Sequence, residues 1–511
     1  MRSAEKLSGF ANMMLRIISV LFVLGCQVTL LIAGMLMLRR SAVDVYLLMQ
    51  LISVPVIYVL VNKEAHYKLN WVLIIFLLPG CGFILYFLWG SKREFNWFNR
   101  RFRRAENEIC EDLMLSAEAE RACCKNFPNE APISRYLARR GYPAYENVDT
   151  RFFPCGAEMY KSLLPDLKAA KESIYIEMFI LDRGTIWDEL FAVLKEKAAA
   201  GLDVRLLLDD FGSLRSSTPR FRRTVREAGI RLAFFAPINK DILHASFNFR
   251  THQKYILIDH QIGYSGGINL ADEYFDRKER FGYWKDTATR IRGSAVHSME
   301  AMFLVMWQVC TGESQRLPPE IPQEEGDGAA FVRPFDGGPA KNPDNPVAVL
   351  YDMVMHRAVK YLYITTPYLV LDQEMFKGLI QAAKSGVDVR IMMPGIYDKW
   401  YVRAVSYHNI GPLLRNGIRV FEYEPGFLHA KMLVADGTCA ICGSVNLDFR
   451  SLWEHYECGA FFTGGTVVQE IEEDIRSIKR QSREISYEQW KHRGILRKII
   501  EEVLCLLAPL M

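Results

Sequence analysis

His252-Gln-Lys254-Tyr-Ile-Leu-Ile-Asp259 and His429-Ala-Lys431-Met-Leu-Val-Ala-Asp436 are two copies of one pattern, H-x-K-x-x-x-x-D. Their tails repeat as well. At matched intervals after each histidine stand a glycine, Gly266 or Gly443, and an asparagine, Asn269 or Asn446. One such match carries little weight. Agreement at every one of these positions, twice, is improbable by chance, and it predicts a duplicated domain.

The spacing makes physical sense on an extended chain, where residues i and i+2 share a face and His and Lys project together. Two copies turned toward each other would bring two imidazoles, two ammonium groups and two amides around one anionic centre. That is a phosphate site built without metal. Lys254 and Lys431 supply point charge, and Asn269 and Asn446 supply N–H donors for phosphoryl oxygens. Gly266-Gly267 and Gly443-Ser444 allow close approach of backbone or substrate, so Gly266 and Ser444 join the candidate substrate contacts. Asp259 and Asp436 complete the catalytic motifs, with an anchoring role expected rather than direct acid chemistry. A catalytic histidine also needs a partner that fixes its tautomer. Each half offers a carboxylate beyond its asparagine, Asp286 in Trp-Lys-Asp-Thr-Ala and Glu457 in His-Tyr-Glu-Cys-Gly-Ala.

Outward from the motifs, the repeat extends to Ile174–Leu181 (IYIEMFIL) and Leu362–Leu369 (LYITTPYL), each a buried-strand pattern. Each is followed by a helical segment and a second strand, opening Gly201-Leu-Asp-Val-Arg205 and Gly386-Val-Asp-Val-Arg390. Alternating strands and helices, repeated, predict an α/β fold of two βα-sheet halves facing each other. Residues 317–346 contain seven prolines and several glycines. That composition predicts a linker that continues neither a helix nor a central strand.

The first ninety residues are far more apolar than the rest. The run 17–38 has no charge and would span roughly 33 Å as a helix. The run 43–61 is interrupted by Asp44, Gln50 and Pro55, and 71–89 is uncharged with a tryptophan at each end. Two to three transmembrane helices are expected, with the basic cluster Lys92–Arg104 placing the following domain in the cytoplasm. The partition is thus 1–105 membrane anchor, 106–141 connecting segment, 142–316 first half, 317–346 linker, 347–484 second half and 485–511 a C-terminal amphipathic helix. That helix either packs on the catalytic domain or lies at the membrane interface.

The net charge of +4 suits an anionic surface or phosphate ligands without choosing between lipid and nucleic acid. The eleven cysteines show no disulfide spacing. Cys439 and Cys442, although C-x-x-C, fall on a strand where they point to opposite faces and cannot chelate one ion. No P-loop, H-E-x-x-H or dinucleotide fingerprint is present, so no cofactor and no metal are expected. Of the remaining histidines, His408 is a candidate to line the site.

The doubled motif resembles that of the phospholipase D superfamily, and nearly the whole chain resembles its bacterial cardiolipin synthases. The residues that carry the resemblance are Pro79-Gly80-Cys-Gly82, Asn269-Leu-Ala-Asp-Glu-Tyr274, Thr366-Pro367-Tyr368, Phe427-Leu428-His429-Ala-Lys431 and Asn446-Leu-Asp-Phe-Arg-Ser451. His260, Ser444 and Leu371 stand where glycine, threonine and proline are common in that family. The resemblance implies ping-pong phosphatidyl transfer between two phosphatidylglycerol molecules in a membrane, giving cardiolipin and glycerol. It further implies His252 as nucleophile and His429 as general acid and base. The rival readings are hydrolysis to phosphatidic acid, transfer to serine, a membrane-anchored nuclease and a non-catalytic scaffold. The apolar runs and the lack of a long basic tract with interleaved aromatics argue against nucleic acid as partner. The two intact motifs argue against the scaffold.

Overall fold

The computed structural model describes residues 25–60, 72, 74–82, 86, 93–111, 113, 116–237, 249–321, 326, 328–342 and 344–505. The chain divides into two compact units, Met1–Trp97 with Ile238–Phe247, and Phe98–Pro237 with Asn248–Met511. In the first, the helix Ala42–Leu60 covers the second apolar run. The Ser41 side chain starts it by accepting from the Asp44 N–H. Val43, Leu47, Leu51 and Ile52 stand exposed on it. Among the described residues no helix is long and apolar enough to cross a membrane. The expected spans 17–38 and 71–89 lie partly outside the described residues.

The second unit is built on one continuous sheet, not on two sheets face to face. From one edge its strands run 482–484, 419–423, 388–394, 361–365, 432–435, 439–443, 455–463, 328–337, 145–153, 288–292, 262–266, 255–258, 173–178, 203–209 and 231–235. The order is nearly palindromic. In the first half Arg231–Phe235, Asp203–Asp209 and Ser173–Met178 are parallel, followed by the antiparallel hairpin Tyr255–Ile258 and Ile262–Gly266. Arg419–Tyr423, Asp388–Pro394, Tyr361–Thr365, Met432–Ala435 and Cys439–Gly443 repeat that arrangement in the second half. The central strands are buried on both faces, as their unbroken apolar runs require. One face is covered by the almost wholly buried helix Val296–Thr311 and by Thr466–Arg480, whose Val467, Val468, Ile471, Ile475 and Ile478 recur at helical spacing.

Residues 317–346 differ most from expectation. Instead of a plain linker they contain the strand Gly328–Gly337, which joins the halves at the centre of the sheet. Pro334 is tolerated because the neighbouring strand Tyr145–Phe153 pairs only as far as Val332, so at Pro334 one side of the strand carries no ladder for an N–H to join.

Asp259 and Asp436 close the two hairpins with positive φ, a conformation aspartate tolerates better than most residues. Asp259 accepts from the N–H groups of Lys171, Glu172 and Ser173 at 2.8, 2.8 and 2.9 Å. Asp436 does the same for Val359, Lys360 and Tyr361 at 2.8, 2.7 and 2.9 Å. The motif aspartates therefore pin the loop that enters each first strand and do not reach the reacting groups. His260 follows Asp259 with φ 58°, which explains why a glycine suits this position. Here the side chain is held by Glu300, 2.7 Å from Nδ1. Replacing Asp436 by Ala should destabilise the full chain by about 1–3 kcal/mol, the loss of charge-assisted acceptors in a half-exposed turn. A thermal melt in detergent should show this while turnover per folded molecule stays near that of the parent. Unchanged melting with turnover lost would instead make Asp436 a reacting group.

Candidate active site

His252 and Lys254 lie in a short extended segment between Arg250–Thr251 and Tyr255–Ile258, and His429 and Lys431 in its counterpart between Gly426–Leu428 and Met432–Ala435. The flanking strands decide the geometry. Arg250–Thr251 runs parallel to His455–Tyr456 of the second half, so the next residues in register are His252 and Glu457. Gly426–Leu428 runs parallel to Tyr283–Lys285 of the first half, which sets His429 beside Asp286. Backbone bonds fix both registers, His252 N–H to the Tyr456 carbonyl at 2.8 Å and His429 N–H to the Lys285 carbonyl at 2.7 Å.

Both candidate orienting carboxylates thus do bind a motif histidine, and each binds that of the opposite half. Glu457 holds His252 Nδ1 at 2.9 and 2.8 Å through its two oxygens. Asp286 holds His429 Nδ1 at 2.6 Å. With Nδ1 donating to a carboxylate, Nε2 is left unprotonated and nucleophilic. No hydrogen bond occupies either Nε2 among the described residues. Lys254 Nζ donates to the His252 carbonyl at 2.6 Å, and Lys431 Nζ donates to the His429 carbonyl.

The remaining predicted contacts divide. Ser444 does not face the anion site: its hydroxyl and that of Ser451 both donate to Glu457. In the first half Gly267 replaces it, and a Cβ there would lie 2.1 Å from Asp286 Oδ1, so the glycine makes room for the carboxylate. Gly266 likewise serves packing, because its Cβ would strike the Thr287 carbonyl at 2.4 Å. Asn269 accepts from the Ile180 N–H at 3.0 Å and donates to the Tyr274 hydroxyl at 2.8 Å, so it builds the wall of the site. Asn446 keeps a buried Oδ1 without a partner. His408 is drawn away to Glu502 at 3.2 Å.

Sequence reasoning missed His455. Its ring nitrogens are both buried without a hydrogen-bond partner, and its ring lies 5.7 Å from that of His252. The only available signal was its position two residues before Glu457. His252, His455 and Glu457 gather ligand atoms within 4.8 Å, a spacing that could hold a metal ion. Glu457 is already engaged by Ser444, Ser451 and His252, so its carboxylate works here as the centre of a hydrogen-bond cluster that His455 does not join.

Burial dominates the electrostatics. Desolvation, followed by the charges of Lys254 and Lys431, holds His252 well below the usual imidazole range. Desolvation and Lys431 lower His429 to about 4, with Asp286 pulling the other way. Desolvation also brings Lys254 down to about 8 and Lys431 to about 7, in each case against the pull of nearby carboxylates. The site therefore holds neutral imidazoles and two reluctant ammonium groups, a setting that an incoming phosphate anion relieves.

Residues 163–307 and 352–479 match the family described as cardiolipin synthase, PLD-like domain, and residues 51–91 match that described as phospholipase D-nuclease N-terminal. A cardiolipin synthase of Geobacillus kaustophilus is 32% identical over 90% of this chain and 92% of its own length. Cardiolipin synthase 2 of Bacillus cereus is 31% identical, covering 88% of each chain. The crystal structure of phosphatidylserine synthase from Haemophilus influenzae superposes with a TM-score of 0.56 at 15% identity, covering 72% of this chain and 95% of that one. At that identity the likeness is one of fold.

An anion entering the site raises both lysine pKa values. At pH 7.5, between the values of about 7 and about 8 for Lys431 and Lys254, its binding must draw protons from solution. Calorimetry with tungstate, an unprotonated dianion at that pH, in two buffers of different ionisation enthalpy should show net proton uptake. Absence of uptake would mean that both ammonium groups are already fully charged in the free site.

Proposed function

The chain belongs to the cardiolipin synthases of the phospholipase D-like family, and on that premise we propose that it joins two phosphatidylglycerol molecules into cardiolipin, releasing glycerol. The observation that carries this reading is the pair of histidines, each with Nδ1 on a buried carboxylate, no hydrogen bond at Nε2 among the described residues, and the charge of the other motif's lysine acting on it. A phosphodiester with an alkoxide leaving group needs both a nucleophile and a general acid, and two imidazoles supply both near neutral pH.

In the first step Nε2 of His252 attacks phosphorus. The bond from phosphorus to the glycerol headgroup oxygen breaks, and His429, which takes up a proton on Nε2 when the phosphate anion enters the site, gives that oxygen its proton. The phosphatidyl group then rests on His252 Nε2. In the second step His429 Nε2 removes the proton from a hydroxyl of the second phosphatidylglycerol. That oxygen attacks phosphorus and the P–N bond breaks. Lys254 and Lys431 stabilise the phosphoryl oxygens.

The division of labour follows from how unlike the two carboxylates are. Glu457 takes hydroxyl donors from Ser444 and Ser451 besides His252, so its charge is spread and pulls weakly on the His252 proton. Asp286 takes only the Thr287 N–H besides His429 among the described residues, so it supports an imidazolium at His429 more strongly. A histidine that stays neutral suits attack, and one that gains and loses a proton suits acid and base work.

The N-terminal region serves as a multi-pass membrane anchor, with the catalytic unit on the cytoplasmic side. Support comes from the uncharged runs 17–38 and 71–89, the exposed aliphatic side chains of Ala42–Leu60 and the basic cluster that follows. An impermeant thiol reagent applied to intact cells should leave a cysteine engineered at Glu320 unmodified. Ready modification there would place the unit outside.

Purified full chain in detergent with phosphatidylglycerol alone should yield cardiolipin and glycerol in equal amounts, without nucleotide. Phosphatidic acid as the main product would make the chain a hydrolase. In His429→Asn, radioactive phosphatidyl should accumulate on His252 as an acid-labile adduct, and His252→Asn should accumulate none. Label on His429 in the His252 variant would reverse the roles.

A further inference from the structure

The C-terminal helix Ile495–Cys505 packs with the wrong face, judged by hydrophobicity. Arg497, Glu501, Leu504 and Cys505 share one side, and this side meets the helix Trp400–Arg415. Glu501 is fully buried and paired with Arg493 at 2.6 Å and Arg497 at 2.8 Å. Arg497 lies over the Tyr407 ring at 4.3 Å. The apolar side chains point the other way. Ile495 is 78% exposed, Leu496 69%, and Ile499, Ile500 and Val503 are exposed with them. An amphipathic helix that buries the carboxylate Glu501 and presents its aliphatic stripe outward is not held in that orientation by apolar packing on its own unit.

The stripe continues onto a second patch. The two helices run antiparallel, so that Leu504 and Cys505 pack with Val402 and Val405 beside the exposed Trp400 and Tyr401. Ile396 and Tyr397 are exposed just before them, and Tyr283 stands exposed on the neighbouring strand. Ile396 reaches the space beside Gly282, at the start of the strand pair that delivers His429. Between Tyr397 and Trp400, Asp398 accepts from the Tyr368 hydroxyl at 2.7 Å, and Lys399 Nζ lies 4.7 Å from the centre of the Tyr368 ring. The charge of Lys399 is among those felt at His252. These apolar and aromatic side chains therefore border the opening of the active site.

We propose that the catalytic unit docks on the phospholipid interface through this surface, the outward face of Ile495–Cys505 joined to the rim Tyr283, Ile396, Tyr397, Trp400 and Tyr401. The surface would bring the mouth of the site to the lipid headgroups. This rests on the reading of the substrate as a phospholipid. A bilayer fits better than a second protein. Tryptophan and tyrosine favour the headgroup boundary, and an aliphatic helical stripe inserts just below it. Lys399, Lys491 and Lys498 at the border suit an anionic lipid such as phosphatidylglycerol, and exposed Glu502 is offset by His408 at 3.2 Å.

The test uses the unmodified full chain in vesicles containing phosphatidylglycerol and a phospholipid with a photoreactive acyl chain. Peptides covering 495–505 and 396–401 should carry lipid adducts. Absence of adducts there in a sample that makes cardiolipin overturns the docking surface and leaves the enzymatic reading standing, whether water or a second copy covers the face. Adducts there without cardiolipin formation leave the surface standing and remove the enzymatic reading. As a second measurement, Ile499→Glu with Val503→Glu should lower activity on vesicles about tenfold. Activity on short-chain phosphatidylglycerol, dispersed as monomers, should be unchanged. Equal loss on both substrates would mean that the stripe acts on folding rather than on the lipid.

Discussion

Two short parallel pairings decide the chemistry of this molecule. Arg250–Thr251 beside His455–Tyr456, and Gly426–Leu428 beside Tyr283–Lys285, each place a histidine of one half next to a carboxylate of the other. A parallel ladder advances both strands together, so once two residues are in register the third pair is determined. A one-residue slip would turn each imidazole to the opposite face and strand a buried carboxylate without a partner. Neither half supplies the carboxylate for its own motif histidine. The continuous sheet, closed through Gly328–Gly337 and Tyr145–Phe153, is what holds the two exchanges in place.

The same arrangement explains why the site suits phosphate. Four groups able to carry positive charge and two carboxylates are buried together, and burial disfavours every charged form. The carboxylates are stabilised by fixed donors, Ser444 and Ser451 for Glu457 and the Thr287 N–H for Asp286. The lysines have carbonyl acceptors, with Lys431 Nζ also 2.8 Å from His429 Nδ1, and the pull of the two carboxylates does not offset their burial. An anion between them supplies the missing countercharge, and in the transition state of phosphoryl transfer that anion carries its charge on oxygens that ammonium groups can reach. The geometry is therefore preorganised for a phosphate anion.

Much of this was legible in the sequence because it is local. The duplicated motif, the strand pairs on either side of it and the candidacy of Asp286 and Glu457 all follow from spacing. Pairing across halves is not local, and near-identical halves leave it undetermined. The composition of 317–346 misled for a related reason: proline disturbs a central strand only where a neighbouring strand needs the N–H it lacks, and at Pro334 one neighbour has already ended. Ser444 and Gly266 were read as facing substrate because glycine and serine suit close approach, yet the close approach is to Glu457 and to the adjacent strand. The anchoring role of Asp259 and Asp436 could be anticipated from their distance along the strand, while the three backbone donors that each collects could not.

The exchange of carboxylates is tested most directly by rapid-quench measurement of the covalent phosphatidyl adduct on His252 in Glu457→Gln and Asp286→Asn. With crossed pairing, Glu457→Gln disturbs His252, the proposed nucleophile, although it lies in the other half, so the adduct should form slowly and never build up. Asp286→Asn disturbs His429, the proposed base, so the adduct on His252 should build up and decay slowly. The converse pattern, with the adduct lost in Asp286→Asn and accumulating in Glu457→Gln, would contradict the crossed geometry on which the account stands.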